Sequence, residues 1–344
     1  MSSTSHFVSV IVPVFNGGRF LNSCLDALLA SDHSEFEIIV VDDGSTDDSA
    51  MISRAKGAVV ISSGRRQSGP AAARNLAANE AKGDILLFVD ADVVVKTDTI
   101  SKVANAFAEK PEISALFGSY DDDPGEKNFL SQYKNLQHHF VHQNSKPEAS
   151  TFWSGLGAIR RDVFLAHGGF DCEKFSVPSI EDIDLGFRLR RSGHRILLDR
   201  DITAKHLKRW QVGSHLRTEI LCRALPWSRL ILENQGMIND MNLKTTDRLS
   251  AVLVGLTILL LPFVLWQPWL ALVVLACVGA TVFLNRDILV FYVRKRGLPF
   301  AAMTVPWQML YFFYSGVVFV LCWVWYTSRH ILGLRKAQEV NDLQ

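Results

Sequence analysis

The chain has 344 residues, of which 48% are hydrophobic and 21% charged, and its formal net charge is +1 at pH 7. This balance excludes nucleic-acid binding driven by charge, so we expect no nucleic-acid partner. The five cysteines include no Cys-x-x-Cys pair and predict neither a disulfide framework nor a zinc site.

The first third of the chain alternates strand and helix patterns. Apolar runs predict strands over 7–14, 36–41, 59–61 and 85–89, and helical spacing predicts helices over 19–30, 47–56 and 70–81. Together these patterns predict a doubly wound α/β sheet with a Rossmann-like first half. Since neither Gly-x-Gly-x-x-Gly after the first strand nor a Walker sequence is present, a dehydrogenase and a P-loop nucleotidase are disfavoured.

Polar side chains follow three of these strands, namely Asn16, the pair Asp42 and Asp43, and the pair Asp90 and Asp92. The carboxyl ends of parallel strands share one edge of a sheet, so we expect these groups to converge on one crevice. Carboxylates at the end of a buried strand are costly unless a cation offsets them, and their oxygens suit Mg²⁺ or Mn²⁺. For the last pair alone, a solvated turn is the alternative.

With these residues in place, the sequence resembles the family 2 glycosyltransferases of GT-A fold. The matching segments occur in family order between about residues 7 and 200. They are Val-Ile-Val-Pro-Val-Phe-Asn (10–16), Asp-Asp-Gly-Ser-Thr-Asp (42–47), Gly-Pro-Ala-Ala-Ala-Arg-Asn (69–75), Val-Asp-Ala-Asp (89–92) and Glu-Asp-Ile-Asp (181–184). The resemblance implies a Rossmann-like domain that binds a nucleotide sugar.

The resemblance implies roles for the residues that bind the nucleoside. Pro13, Val14 and Asn16 would line the nucleoside pocket. Asp42 or Asp43 would bind the base or the ribose, because a carboxylate accepts from a ring N–H or a hydroxyl.

The resemblance also implies roles around the diphosphate and the donor sugar. Arg74 would lie against the diphosphate, Asp90 would contact the ribose or the metal, and Asp92 would ligate the metal that bridges the phosphates. Trp153 and Gly155 match the family loop beneath the donor sugar. A glycine turn beside a core tryptophan is the alternative for that loop.

The transfer reaction calls for a base on the face of the sugar opposite the leaving group. Asp182 is the expected base, and Glu181 would orient it or contact the acceptor, with inversion of the anomeric centre as in the family. An acidic helix N-terminus is the alternative, and both interpretations can hold together.

After a strand predicted over 195–199 and a loop, His206 would be a further metal ligand, with a surface histidine as the alternative. The basic residues beside it, Lys205, Lys208 and Arg209, offer contacts to the diphosphate. Because the Gln-x-x-Arg-Trp motif of processive members is absent, we predict the transfer of a single sugar. A helix predicted over 128–143 places His138 and His142 on one face near the acceptor cleft.

The sequence from 249 to 284 contains no charged residue and is too long for one membrane pass. We predict passes over 249–266 and 268–284, separated by Trp-Gln-Pro-Trp, and a third over 303–327. Amphipathic patterns over 215–234 and 286–300 predict helices at the inner membrane surface that face anionic headgroups and bring the cleft towards the membrane.

These predictions divide the chain into a GT-A catalytic domain (1–212), an amphipathic connection (213–248), an α-helical transmembrane domain (249–328) and a polar tail (329–344). Residues 1–12 lack a signal-peptide pattern. We therefore expect an integral membrane protein, in a bacterial inner membrane, with its catalytic domain in the cytoplasm. Basic residues beside the first two passes agree with this orientation, but three passes would place Arg329, Arg335 and Lys336 outside, which leaves the number of passes open.

The leading hypothesis is an inverting glycosyltransferase that moves one sugar from a nucleotide sugar to a lipid or lipid-linked hydroxyl. A UDP-sugar is the first expectation for the donor, although no residue separates UDP from GDP or dTDP. The alternatives are a polyprenyl-phosphate acceptor, a soluble acceptor, and a non-catalytic nucleotide-binding scaffold in the membrane.

Overall fold

The computed structural model describes residues 6–64, 67–175, 177–234, 241 and 244–341, with side chains described as far as Arg329 in the last segment. The chain divides into two compact units, Met1–Gln211 and Val212–Gln344.

In the described part of the first unit, nine strands form one mixed sheet. They are β1 (Val8–Val14), β2 (Phe36–Asp42), β3 (Val59–Ser62), β4 (Ile85–Val89), β5 (Val93–Val94), β6 (Ile113–Tyr120), β7 (Glu148–Ala149), β8 (Leu156–Arg160) and β9 (Arg195–His206). The order across the sheet is β3-β2-β1-β4-β8-β6-β9-β5, and β7 pairs with β9. The first four strands in this order are parallel, and β8 is antiparallel to both β4 and β6.

Helices follow the strands of the parallel half and continue through the rest of the unit. They are α1 (Gly18–Leu29), α2 (Ser49–Ala55), α3 (Pro70–Glu80), α4 (Thr99–Glu109), α5 (Phe129–Gln143), α6 (Arg161–Ala166) and α7 (Glu181–Arg191). The apolar face of α1 buries Leu21, Leu25 and Leu28, which recur at helical spacing. Strands β1 and β4 are buried on both faces because they lie inside the sheet. This architecture confirms the predicted α/β fold class.

The last strand is longer than the sequence predicts. The prediction of a strand that ends at Asp199, followed by a loop, is wrong, since β9 continues to His206. Its pairing with β6 slips between Leu198 and Thr203, so the polar residues in between interrupt the apolar alternation. From Ile202 onwards, every second residue of β9 is again buried, namely Ile202, Ala204 and His206.

The secondary structure described in the second unit is helical, with short turns between the helices. Its segments are α8 (Val212–Arg217), a π-helix (Thr218–Ala224), α9 (Leu225–Glu233), α10 (Thr245–Leu260), a 3-10 helix (Leu261–Leu265), α11 (Leu270–Leu284), α12 (Arg286–Arg296) and α13 (Leu298–Asn341). Among the described residues, two helices are long and apolar enough to span a membrane, Thr245–Leu265 and Leu298–Arg329. The pair α11 and α12 is bent by 67° and adds a third span only if it is counted as one broken helix.

One boundary in the second unit differs from the prediction. The helix predicted over 286–300 ends at Arg296, and α13 begins at Leu298, ahead of the predicted pass over 303–327. Gly297 separates the two helices with φ 85°, a left-handed conformation that glycine adopts without steric cost. Pro299 then lies in the first turn of α13, where its missing N–H costs nothing.

Candidate active site

The loop after β1 is joined to the loop after β2 through Asn16. Its Oδ1 accepts hydrogen bonds from the Thr46 amide (2.8 Å) and hydroxyl (3.2 Å), and its own amide donates to Ser45 Oγ (2.9 Å). Asn16 has φ 51°, a conformation that asparagine tolerates better than most residues. Pro13 and Val14 precede it at the end of β1. The predicted nucleoside segment therefore lies at the carboxyl edge of the parallel strands.

The two aspartates predicted to meet the base or the ribose have different surroundings. Asp43 is 4% exposed, and its carboxylate accepts hydrogen bonds from the amides of Ser68 (2.9 Å) and Gly69 (2.7 Å). It thereby holds the turn that begins α3. Asp42 is half-buried, and its Oδ1 accepts a hydrogen bond from the Ser45 amide at 2.9 Å. Among the described contacts, its second oxygen has no protein donor.

Arg74 connects three parts of the first unit. It lies in α3, is buried, and donates from Nη2 to Asp90 Oδ1 (2.7 Å) and from Nη1 to Glu181 Oε1 (3.2 Å). Its guanidinium carbon also lies 5.6 Å from the centre of the Phe170 ring. Burial alone would lower the pKa of Arg74, but the carboxylates of Asp90 and Glu181 raise it. The cation therefore fixes the end of β4 against the start of α7.

Asp92 and His206 are brought together by main-chain pairing. The short strand β5 is antiparallel to the end of β9, with Val93 opposite His206, and the Leu207 amide donates to the Asp92 carbonyl at 2.8 Å. Asp92 Oδ2 then lies 3.6 Å from His206 Nε2. Burial would raise the pKa of Asp92, but the neighbouring His206 and Lys208 side chains bring it below its usual range.

The residues at this point offer a small donor set for a divalent cation. In the part of the chain that the structure describes, no three His, Cys, Asp or Glu side chains converge on one point. Asp92 and His206 offer one oxygen and one nitrogen at 3.6 Å, close to the separation of about 3.0–3.4 Å between neighbouring ligands of one ion. Asp90 is occupied by Arg74 through Oδ1. The donor set fits a cation that takes its remaining ligands from a diphosphate and water, as Mg²⁺ commonly does.

Asp182 is oriented by the loop before β8. Its Oδ2 accepts hydrogen bonds from the Ser154 amide (2.9 Å) and hydroxyl (3.1 Å), and its Oδ1 accepts one from the Ile183 amide (2.8 Å). The side chain is half-buried at the N-terminus of α7. Glu181 precedes it, and burial together with the Asp182 charge raises the pKa of Glu181 against the opposing effect of Arg74.

The loop with Trp153 and Gly155 packs on aromatic side chains. A Cβ on Gly155 would lie 2.5 Å from the Trp153 ring, so only glycine leaves room for the indole there. The indole centre lies 4.5 Å from the His138 ring and 4.9 Å from the Tyr120 ring. Sequence reasoning placed His138 near a cleft and did not identify Tyr120 or the role of Ser154. The position of Tyr120 at the end of a buried strand was the available signal.

The predicted residues thus form several separate groups, each held by its own contacts. Arg74 joins Asp90 to Glu181, and the β5–β9 pairing joins Asp92 to His206. Asn16 and Asp42 belong to a separate hydrogen-bonded group at the ends of β1 and β2, as shown by their common partner Ser45.

Comparisons with known proteins show similarity in sequence and in fold. Residues 9–168 match the family model described as Glycosyl transferase family 2. The chain is 33% identical over 129 residues to glycosyltransferase GlyG of Streptococcus pneumoniae, covering 36% of this chain and 43% of that protein. It is 27% identical over 213 residues to a poly(ribitol-phosphate) beta-glucosyltransferase of Bacillus spizizenii, covering 55% of this chain and 33% of that protein. The chain thus spans less than half the length of these curated relatives.

Two solved structures resemble more than nine tenths of the chain in fold. Staphylococcus aureus TarS 1–349 in complex with UDP-GlcNAc has a TM-score of 0.52 at 19% identity, covering 93% of this chain and 91% of that one. Mannosyltransferase PcManGT from Pyrobaculum calidifontis, in complex with GDP-Man and Mn²⁺, has a TM-score of 0.51 at 19% identity, covering 92% of this chain and 87% of that one. At this identity the likeness establishes the fold. Residues 9–168 therefore match a glycosyltransferase family 2 domain, and the first unit has a GT-A fold.

Proposed function

We propose that this chain transfers one sugar, with inversion of the anomeric centre, from a nucleotide sugar to an acceptor in or attached to a membrane. The observation that carries the proposal is the network around Arg74, which holds Asp90 at a strand end and Glu181 beside Asp182. A scaffold without catalysis has no need to hold these acids around one buried cation, since buried charge is costly.

The donor is assigned to the carboxyl edge of the parallel strands. We assign Asp42 to the base or ribose, because one of its oxygens has no protein donor among the described contacts. Asn16, in the loop after β1, shapes the pocket. Asp43 supports the pocket indirectly through the turn before α3. UDP is our first choice of nucleotide, because the structural neighbour TarS was solved with UDP-GlcNAc. GDP is the second, because PcManGT was solved with GDP-Man.

Asp92 and His206 are the residues that would hold Mg²⁺ or Mn²⁺. Asp90, whose carboxylate is hydrogen-bonded to Arg74, would support them. When bound, the cation offsets negative charge on the leaving diphosphate. Lys208 is exposed, and its charge reaches both Asp90 and Asp92. We assign its ammonium group to the diphosphate as well. Trp153 and Gly155 remain our assignment for the wall beneath the donor sugar.

Asp182 is the proposed base. Its Oδ2 is held by two hydrogen bonds from Ser154, whereas Oδ1 accepts one described bond and keeps acceptor capacity for a substrate hydroxyl. The acceptor O–H gives its proton to the carboxylate while its oxygen forms a bond to the anomeric carbon. The bond from that carbon to the diphosphate breaks with its electron pair, and the nucleoside diphosphate leaves.

A membrane acceptor is supported by the second unit. Two of its helices are long and apolar enough to span a membrane. We propose a lipid or lipid-linked hydroxyl, at the cytoplasmic face of a bacterial inner membrane, as the acceptor. A polyprenyl phosphate is the competing acceptor, because an ionised phosphate needs no base and would leave Asp182 without that role.

The test is nucleotide release from UDP-, GDP- and dTDP-sugars by the detergent-solubilised full chain, with Mn²⁺ and a total membrane-lipid extract. Release should depend on lipid, on Mn²⁺ and on Asp92 and Asp182, with Asp92→Ala and Asp182→Asn as the variants. Asp201→Asn, which changes an exposed carboxylate in β9, is the matched control. Release without lipid would favour a soluble acceptor, and Mn²⁺-dependent nucleotide binding without release from any donor would favour the scaffold.

A further inference from the structure

Tyr120 stacks on His206. The ring centres lie 4.1 Å apart, and the ring planes differ by 8°. The contact follows from the sheet, because Tyr120 on β6 is in register with Ala204 on β9, two residues before His206. Residues two apart on a strand project from the same face, so the phenol and the imidazole meet as diagonal neighbours.

The Tyr120 ring is itself held from other directions. The Trp153 indole meets it edge-on at 4.9 Å, and the His138 ring centre lies 4.6 Å away. The main-chain carbonyl of Tyr120 accepts a hydrogen bond from His139 Nδ1 at 2.7 Å. The phenol ring is therefore held in one position, and side chains of α5 contribute to holding it.

We propose that Tyr120 is a positioning residue for the cation site, since its ring sets the plane in which the His206 imidazole presents Nε2 to Asp92. Rotation about the last side-chain bond of histidine is broad when nothing packs on the ring. A ring stacked within 8° of parallel restricts that rotation and keeps Nε2 at 3.6 Å from Asp92 Oδ2. Groups that orient a metal ligand in this way affect affinity even though they do not touch the ion. The inference rests on the proposed function, since it assigns His206 to the cation.

The experiment measures Mn²⁺ binding directly, from the electron paramagnetic resonance signal of free Mn²⁺, on the full chain in detergent with saturating UDP. We expect Tyr120→Leu to raise the Kd for Mn²⁺ about three- to tenfold, the range expected for one lost stacking contact. Tyr120→Phe keeps the ring and should bind within about twofold of the wild type. Phe107→Leu, which shortens a buried aromatic of the core, is the matched control and should lower the melting temperature without changing the Kd.

The possible outcomes separate the inference from the proposed function. Equal Kd values for Tyr120→Leu and the wild type would overturn the inference, as would a Tyr120→Phe variant that binds as weakly as Tyr120→Leu. The inference also fails if the wild-type chain binds no Mn²⁺. If the Kd values follow the expected order but no donor yields sugar transfer, the proposed function fails while the role of Tyr120 stands.

Discussion

Arg74 and Glu181 are 107 positions apart in the sequence, yet their side chains meet at 3.2 Å and are only 4% and 6% exposed. This pair is the link between the helix after β3 and the helix that carries Asp182. It makes the position of the proposed base depend on a cation contributed from α3, in the parallel half of the first unit.

Removing that cation should destabilise the first unit. Arg74→Met leaves Glu181 buried without its partner, and we expect the free energy of unfolding to fall by about 3 kcal/mol. The measurement is urea unfolding of the detergent-solubilised chain, followed by tryptophan fluorescence. The double variant Arg74→Met/Glu181→Leu removes the stranded charge and should recover part of the loss. An Arg74→Met variant that unfolds at the wild-type urea concentration would contradict the assignment.

Asp182→Asn should lower kcat by about 10²- to 10⁴-fold, because the amide cannot take the acceptor proton. The KM for the donor should change little, since Asp182 lies outside the hydrogen-bonded group of Asn16 and Asp42 that we assign to the nucleoside. Ser154→Ala removes one of the two hydrogen bonds to Asp182 Oδ2 and should lower kcat about fivefold. Steady-state kinetics on the identified donor measure both. Full activity of Asp182→Asn would instead point to an acceptor that is already ionised.

Lys208→Gln should weaken donor binding. An exposed ammonium that meets a diphosphate is worth about 1 kcal/mol, so we expect the KM for the donor to rise about fivefold at low salt. The difference should shrink at high ionic strength because salt screens exposed charges. Arg209→Gln is the matched control, since the exposed Arg209 guanidinium lies 3.8 Å from the half-buried Glu126 carboxylate. Equal effects of the two substitutions would show a general charge effect in place of a specific contact.

His194 should make the stability of the first unit depend on pH. Burial, and next the nearby His167, lower the pKa of His194, whose Nδ1 is hydrogen-bonded to Ser114 Oγ at 2.7 Å. The unfolded chain then binds more protons, so stability should fall as the pH drops through about 6.5. We expect a higher melting temperature at pH 8 than at pH 5.5, and a smaller difference in His194→Gln. An unchanged difference in that variant would rule out His194 as the source.

The parallel half of the sheet was accessible from the sequence, because each of its strands is a short apolar run that ends in a polar residue. Asp90 and Asp92 could be identified for the same reason, since charge at the end of a buried strand needs an explanation. The full length of β9 was not accessible. Its pairing slips by several residues beside β6, and a pattern of alternation cannot reveal a slip that is set by the partner strand.

The side-chain partners were the least predictable part. Asp42 and Asp43 are adjacent and chemically identical, and only the path of the chain before α3 shows that Asp43 is bound to the Ser68 and Gly69 amides. Tyr120 was missed because its contact with His206 depends on the register between two strands that are far apart in sequence. Ser154 was missed because a serine between a tryptophan and a glycine carries no signal of its partner.

The pairing of β5 with the end of β9 has an evolutionary consequence. Asp92 and His206 are held near each other by main-chain hydrogen bonds, which almost any sequence can form. The loops in the long stretch of chain between them can therefore diverge or lengthen without separating these two main-chain segments. Descendants of this architecture can alter those loops while they inherit the same close approach of Asp92 and His206.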